Sequence, residues 1–212
     1  MYSGVMSSTS PARTDLPLFP LNTVLFQGGR LPLQIFEPRY LDLVSRCMRE
    51  GSSFGVTLIR RGRKGRSVRD RSDGGQPETF EIGTEACIVD FNQLSSGRLG
   101  ITIEGSRKFR VYDTWEQADL LLIGEVAFLP EEPDVAITAD HQELVDLLLE
   151  LNLHPEVHKL ALNIDLDDAR SVGWRLAELL PIEPEIKQSL LQLQLPRERL
   201  QELRRLITKL RG

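Results

Sequence analysis

The sequence is poor in the residues on which cross-links, metal sites and most covalent chemistry depend. It has two cysteines, Cys47 and Cys87, far apart and in no C-x-x-C spacing, so neither a disulfide framework nor a cysteine zinc site is indicated. A reducing compartment fits this usage. No stretch reaches eighteen consecutive apolar residues, so no helical span could satisfy its backbone across a bilayer. Met1 to Asp15 is rich in Ser and Thr and lacks the apolar run of a secretory signal. These absences predict a cytoplasmic chain with no membrane association and a disordered tail over residues 1–15.

Catalytic signatures are missing as well. A phosphate-cradling loop needs GxxxxGK[ST] spacing, and Gly62 to Ser67 does not supply it. His154 and His158 are four residues apart, as on a zinc-binding helix. However, the intervening glutamate, Glu156, is at the wrong position for HExxH, and Pro155 marks a helix start instead. His141 stands alone. There is no GxSxG elbow and no SxxK for a serine nucleophile. The expectation is a chain that is not an enzyme, with no catalytic residues, no cofactor and no metal.

What remains is a chain of 212 residues, 41% hydrophobic and 27% charged. A domain of this size can bury roughly 70% of the surface exposed by its unfolded form. One domain or two closely packed ones is expected. The net charge of -5 argues mildly against a general polyanion binder.

Periodicity divides the chain near Pro133. Before it, apolar runs broken by turn residues predict strands at Leu16–Phe26, Arg30–Ile35, Phe54–Arg60, Phe80–Phe91, Arg98–Val111 and Leu120–Leu129. Gln93–Arg98 reads as a hairpin turn. One helix interrupts the strands, starting at Pro38, stopping at Gly51 and placing Tyr40, Leu41, Val44, Cys47 and Met48 on its buried side. Closure into a barrel would remove exposed strand edges. After Pro133, helices are predicted at Ala139–Asn152, Asp168–Leu180, Pro184–Leu193 and Pro196–Leu210. In the last, Leu200, Leu203, Ile207 and Leu210 form the apolar stripe. Arg197, Glu198, Arg199, Glu202, Arg204 and Arg205 form the solvated face.

Two segments carry candidate binding residues. Residues 60–78 hold a basic cluster in which Arg61, Arg63, Lys64 and Arg66 could attract nucleic acid or an acidic partner. Without interleaved aromatics for base stacking, a charged loop that merely keeps the chain soluble accounts for it better. Phe36, Arg39 and Tyr40, around the proline-initiated helix, are first of all joint-forming residues. A groove beside them could take an extended peptide by strand addition, with Arg39 engaging an acidic group.

Three runs also carry a family resemblance. They are LPLFPLNTVLFQGGRLPLQIFEPRYLDLV (Leu16–Val44), EIGTEACIVDFNQLSSGRLGITIEGSRKFRV (Glu81–Val111) and AELLPIEPEIKQSLLQLQLPRERLQEL (Ala177–Leu203). In this order they resemble the N-terminal, substrate-binding domain of Lon proteases. In the middle run Glu81, Gly83, Thr84, Glu104, Gly105, Arg107 and Lys108 carry the match. In the last run it is Pro181, Lys187, Gln188, Leu190, Leu191 and Arg199.

The resemblance implies an α+β fold. A PUA-like β-pseudobarrel with an inserted helix would occupy residues 16–132, and a C-terminal helical bundle residues 133–212. It also implies a non-catalytic domain that binds unfolded or exposed protein segments, as an adaptor in proteolysis or protein quality control or within a protease complex. An interaction scaffold and an RNA-binding PUA-like module are the alternatives. The ATPase and Ser-Lys protease regions of Lon have no counterpart before Gly212, so the domain is expected to be freestanding.

Overall fold

Strand and helix assignments follow local chemistry closely. The computed structural model describes residues 11–60, 77–94 and 98–211. The strands are β1 (Arg13–Leu21), β2 (Arg30–Ile35), β3 (Phe54–Leu58), β4 (Ile82–Gln93), β5 (Leu99–Glu116) and β6 (Leu122–Phe128), with α1 (Pro38–Glu50) inserted between β2 and β3. The helices α2 (Gln142–Asn152), α3 (Pro155–His158), α4 (Ala169–Leu179), α5 (Pro184–Gln192) and α6 (Pro196–Arg211) follow, with a 3-10 turn at Ala139–His141 preceding α2.

Proline and glycine punctuate these elements as their backbone limits require. Pro38 opens α1, where a missing N–H costs nothing. Gly51 closes it at φ 63°, donating its N–H to the Cys47 carbonyl. The α1 face differs from expectation at its margins. Tyr40, Leu43, Val44 and Cys47 are buried, while Leu41 and Met48 lie exposed.

The six-stranded sheet has the order β2-β5-β4-β3-β1-β6, and β5 pairs with β6 as well. The long β5 makes this possible: its first half pairs with β2 and its second half with β6, while β4 runs alongside both. The pairings therefore close on themselves, with β2 attached to β5 alone among the described residues. The Phe109 ring sits inside the closed set, against β-carbon positions that Gly55 and Gly83 leave empty.

One boundary needs correction. The tail predicted to run to Asp15 ends earlier, because Arg13 already pairs in register with Ala127, binds Glu125 at 2.8 Å and lies over the Tyr112 ring. At the ends of the predicted basic loop, Arg60 donates its N–H to the Glu78 carbonyl at 2.7 Å, and Ile59 bridges Thr79. The strand ladder thus extends by one bridge beyond β3.

The core has two main parts. One joins α1 to the strands through Tyr40, Leu43, Val44, Phe19, Phe54, Ile101 and Ile103. The other joins the helices to one another and to Phe26, Leu58 and Ile82, around Leu148, Trp174, Leu176, Leu191, Leu200 and Leu203.

Candidate functional site

The Phe36–Tyr40 joint forms one wall of a cleft of about 880 Å³. β1 contributes Phe19–Leu21, β2 contributes Leu33–Ile35, and the turn between β5 and β6 contributes Leu120. All three expected residues, Phe36, Arg39 and Tyr40, line it. Tyr40 is buried and stacks on Phe19 with ring centroids 4.0 Å apart, so its ring is wall rather than contact surface. Phe36 is 57% exposed and supplies the open apolar face.

Arg39 is committed to its own chain. Its Nη2 donates to Glu37 Oε2 at 2.6 Å and its Nη1 to the Leu120 carbonyl at 2.9 Å. The guanidinium therefore ties the start of α1 to the β5–β6 turn and fixes the width of the cleft between them. The turn itself is strained. Leu120 has φ 65°, a left-handed conformation that costs a side-chain-bearing residue roughly 1–2 kcal/mol, and its side chain is nonetheless 50% exposed.

Backbone hydrogen-bonding capacity adds to the apolar walls. β2 has a strand on one side only among the described residues. β1 is paired to β6 over Arg13–Pro17 and to β3 over Leu18–Leu21, so among the described residues its cleft-lining half also has a single strand neighbour. Pro32 in β2 is tolerated because an edge strand can leave the position of the missing N–H unpaired.

A second constellation lies in the interior, and sequence periodicity did not reveal it. Arg199, predicted on the solvated face of α6, is fully buried. It donates to Glu132 through Nη1 at 2.8 Å and Nη2 at 2.5 Å, and its guanidinium carbon lies 3.2 Å from the Trp174 ring centroid. Lys108 of β5 donates to the same Glu132 at 2.6 Å and to the carbonyls of Leu193 and Leu191. Burial pushes the Lys108 ammonium below its usual range, partly offset by Glu132. A space of about 10 Å³ beside it admits no substrate, so Lys108 is a structural cation rather than an amine nucleophile. The one available signal was that Lys108 and Arg199 both belong to the motif residues of the family resemblance.

A third set ties α4 to the β1–β2 connection. Arg175 donates to the carbonyls of Gly28 and Gln27 and pairs with Glu178, which accepts from the Arg30 N–H at 3.2 Å. Burial raises Glu178 and lowers Arg175.

The remaining candidates have local roles. His154 caps α3 by accepting from the Glu156 N–H at 3.3 Å, and His141 shares a hydrogen bond with Thr138. Cys47 is buried and Cys87 exposed, both free. Among the described residues no group of three or more His, Cys, Asp or Glu could hold a metal ion, and no helix is long and apolar enough to cross a membrane. Arg61, Arg63, Lys64 and Arg66 lie outside the described residues.

Similarity to known proteins extends over most of the chain. A family model for the ATP-dependent protease La (LON) substrate-binding domain matches residues 15–209. The crystal structure of a Lon N-terminal domain protein from Xanthomonas campestris is 39% identical with a TM-score of 0.71, covering 90% of this chain and 96% of that one. The N-terminal domain of a Mycobacterium avium complex Lon protease shares the fold at 15% identity and TM-score 0.59, with coverage of 90% and 96%. Lon protease 2 of Myxococcus xanthus is 29% identical over 107 residues, 50% of this chain but 12% of that protein. The chain thus spans a small part of that relative's length.

Proposed function

The chain belongs to the ATP-dependent protease La (LON) substrate-binding domain family, and from this premise we propose that it binds exposed or unfolded segments of other proteins in the cleft between β1, β2 and α1. The binding is non-catalytic. One observation carries the reading: half-paired strands and open apolar side chains face the same space. An extended segment entering it could add main-chain hydrogen bonds to β2 while its side chains rest on Phe36 and Leu33, the combination that strand addition requires. We read the closed strand set with its inserted helix as a PUA-like pseudobarrel, and α2–α6 as the bundle that follows it. In the cell the domain would act in the cytoplasm as a recognition or adaptor element in proteolysis or protein quality control.

Fluorescence anisotropy with labelled unstructured peptides and a labelled RNA, at low and moderate salt, tests this. Salt-tolerant peptide binding that is lost when alternate peptide amides are N-methylated supports strand addition. A signal from RNA alone, falling steeply with salt, would replace it with polyanion binding.

A further inference from the structure

The β5–β6 turn presents Leu120 to the cleft at a cost in backbone strain that its packing does not explain. The turn is held firmly. Leu120 donates to the Gln117 carbonyl at 2.9 Å, Gln117 donates to the Leu121 carbonyl at 2.9 Å, Asp119 accepts from the Leu121 N–H at 3.0 Å, and Arg39 grips the Leu120 carbonyl. A leucine at positive φ, half exposed and held through both its N–H and its carbonyl, is an arrangement in which strain accompanies a contact made by the side chain. Asparagine or glycine would occupy the same backbone position more easily.

Among the described residues that line the cleft, three carboxylates accompany a single cation, Arg39. Glu116 and Asp119 of the same turn line the cleft and are exposed, and Glu37 lines it too, its carboxylate paired with Arg39. On the open apolar face, Arg98 holds its guanidinium 5.8 Å from the Phe36 ring.

We propose that residues 116–121 form a recognition lip. In it Leu120 packs against an apolar side chain of the bound segment, while Glu116 and Asp119 select a basic residue beside it. This deepens the cleft reading above and rests on it. The preferred occupant is an extended polypeptide carrying an aromatic or aliphatic residue next to Lys or Arg. The apolar contact sets affinity, and the carboxylates set preference in a salt-dependent way.

The test uses the full chain and three labelled unstructured peptides that differ only in the residue following a central Phe, which is Lys, Gln or Glu. Anisotropy is measured for wild type, Leu120→Asn and Glu116→Gln/Asp119→Asn, with Tm recorded for each. Leu120→Asn should weaken the Phe-Lys peptide about tenfold, equivalent to about 1.4 kcal/mol, while Tm stays level or rises because Asn accepts the left-handed backbone. A merely structural leucine would lower Tm and leave affinity unchanged. The double variant should bind all three peptides alike, whereas wild type ranks Lys above Gln above Glu. Wild-type peptide binding that Leu120→Asn leaves untouched, or a preference for Glu, overturns the lip and leaves the cleft reading standing. No binding by wild type to any of the peptides removes both.

Discussion

Arg199 and Glu132 meet in the interior through a two-pronged ion pair at 2.8 and 2.5 Å, with both side chains at or below 1% exposure. Glu132 also receives Lys108, so a single carboxylate from the segment after β6 fastens β5 to α6. Charges so deeply buried are tolerated only when paired, because desolvation otherwise dominates. Replacing Glu132 by Gln leaves two cations facing a neutral amide. It should cost about 3–5 kcal/mol, read as a fall in the denaturant midpoint. Arg199→Met should cost a comparable amount. The double variant should lose less than the sum, since the two changes remove one interaction.

A tight backbone crossing explains a motif glycine. Gly28 donates to the Gly105 carbonyl at 2.7 Å and Gly105 to the Gly29 carbonyl at 2.9 Å. A β-carbon on Gly105 would fall 2.1 Å from the Phe26 carbonyl oxygen, where backbone must move. Gly105→Ala is expected to destabilise by at least about 1–3 kcal/mol. Gly51→Ala meets no atom within 4 Å and should lose only the left-handed preference, about 1–2 kcal/mol. Urea titrations of the two variants give the comparison.

Glu85 should leave a signature in acid. Burial alone would raise its carboxyl, but hydrogen bonds from Arg107 at 3.0 Å and Ser53 at 2.7 Å outweigh that and hold it below the usual glutamate range. The folded state therefore binds this proton later than the unfolded chain does. The stability it contributes is complete above about pH 4.3 and disappears as pH falls through the lowered folded value. Comparing unfolding free energy across this range, Glu85→Gln should lie below wild type at neutral pH and converge with it in acid. A constant gap would mean the pair contributes nothing through titration.

These relationships mark where sequence reading succeeds and where it stops. Pro38 and Gly51 fix the ends of α1 by backbone chemistry alone, so the Phe36–Tyr40 joint was legible, and with it one wall of the cleft. Arg199 was not legible. Its neighbours in α6 have the right period for a buried stripe and a charged face, but burial of an arginine depends on a carboxylate from a distant loop, which periodicity does not register. Leu41 and Met48 show the same limit on a smaller scale, since a hydrophobic residue at the edge of a helix face is buried only if something packs against it. Leu120 was invisible for another reason: nothing in a leucine's identity announces a positive φ.

Hydrogen exchange of the wild-type chain, with and without a saturating unstructured peptide, tests the cleft most directly. The account predicts slowed exchange in residues 33–40, 19–21 and 117–121, with the amides of α2, α4 and α6 unchanged. Protection confined to those helices, with none in β2 or the 117–121 turn, would contradict it.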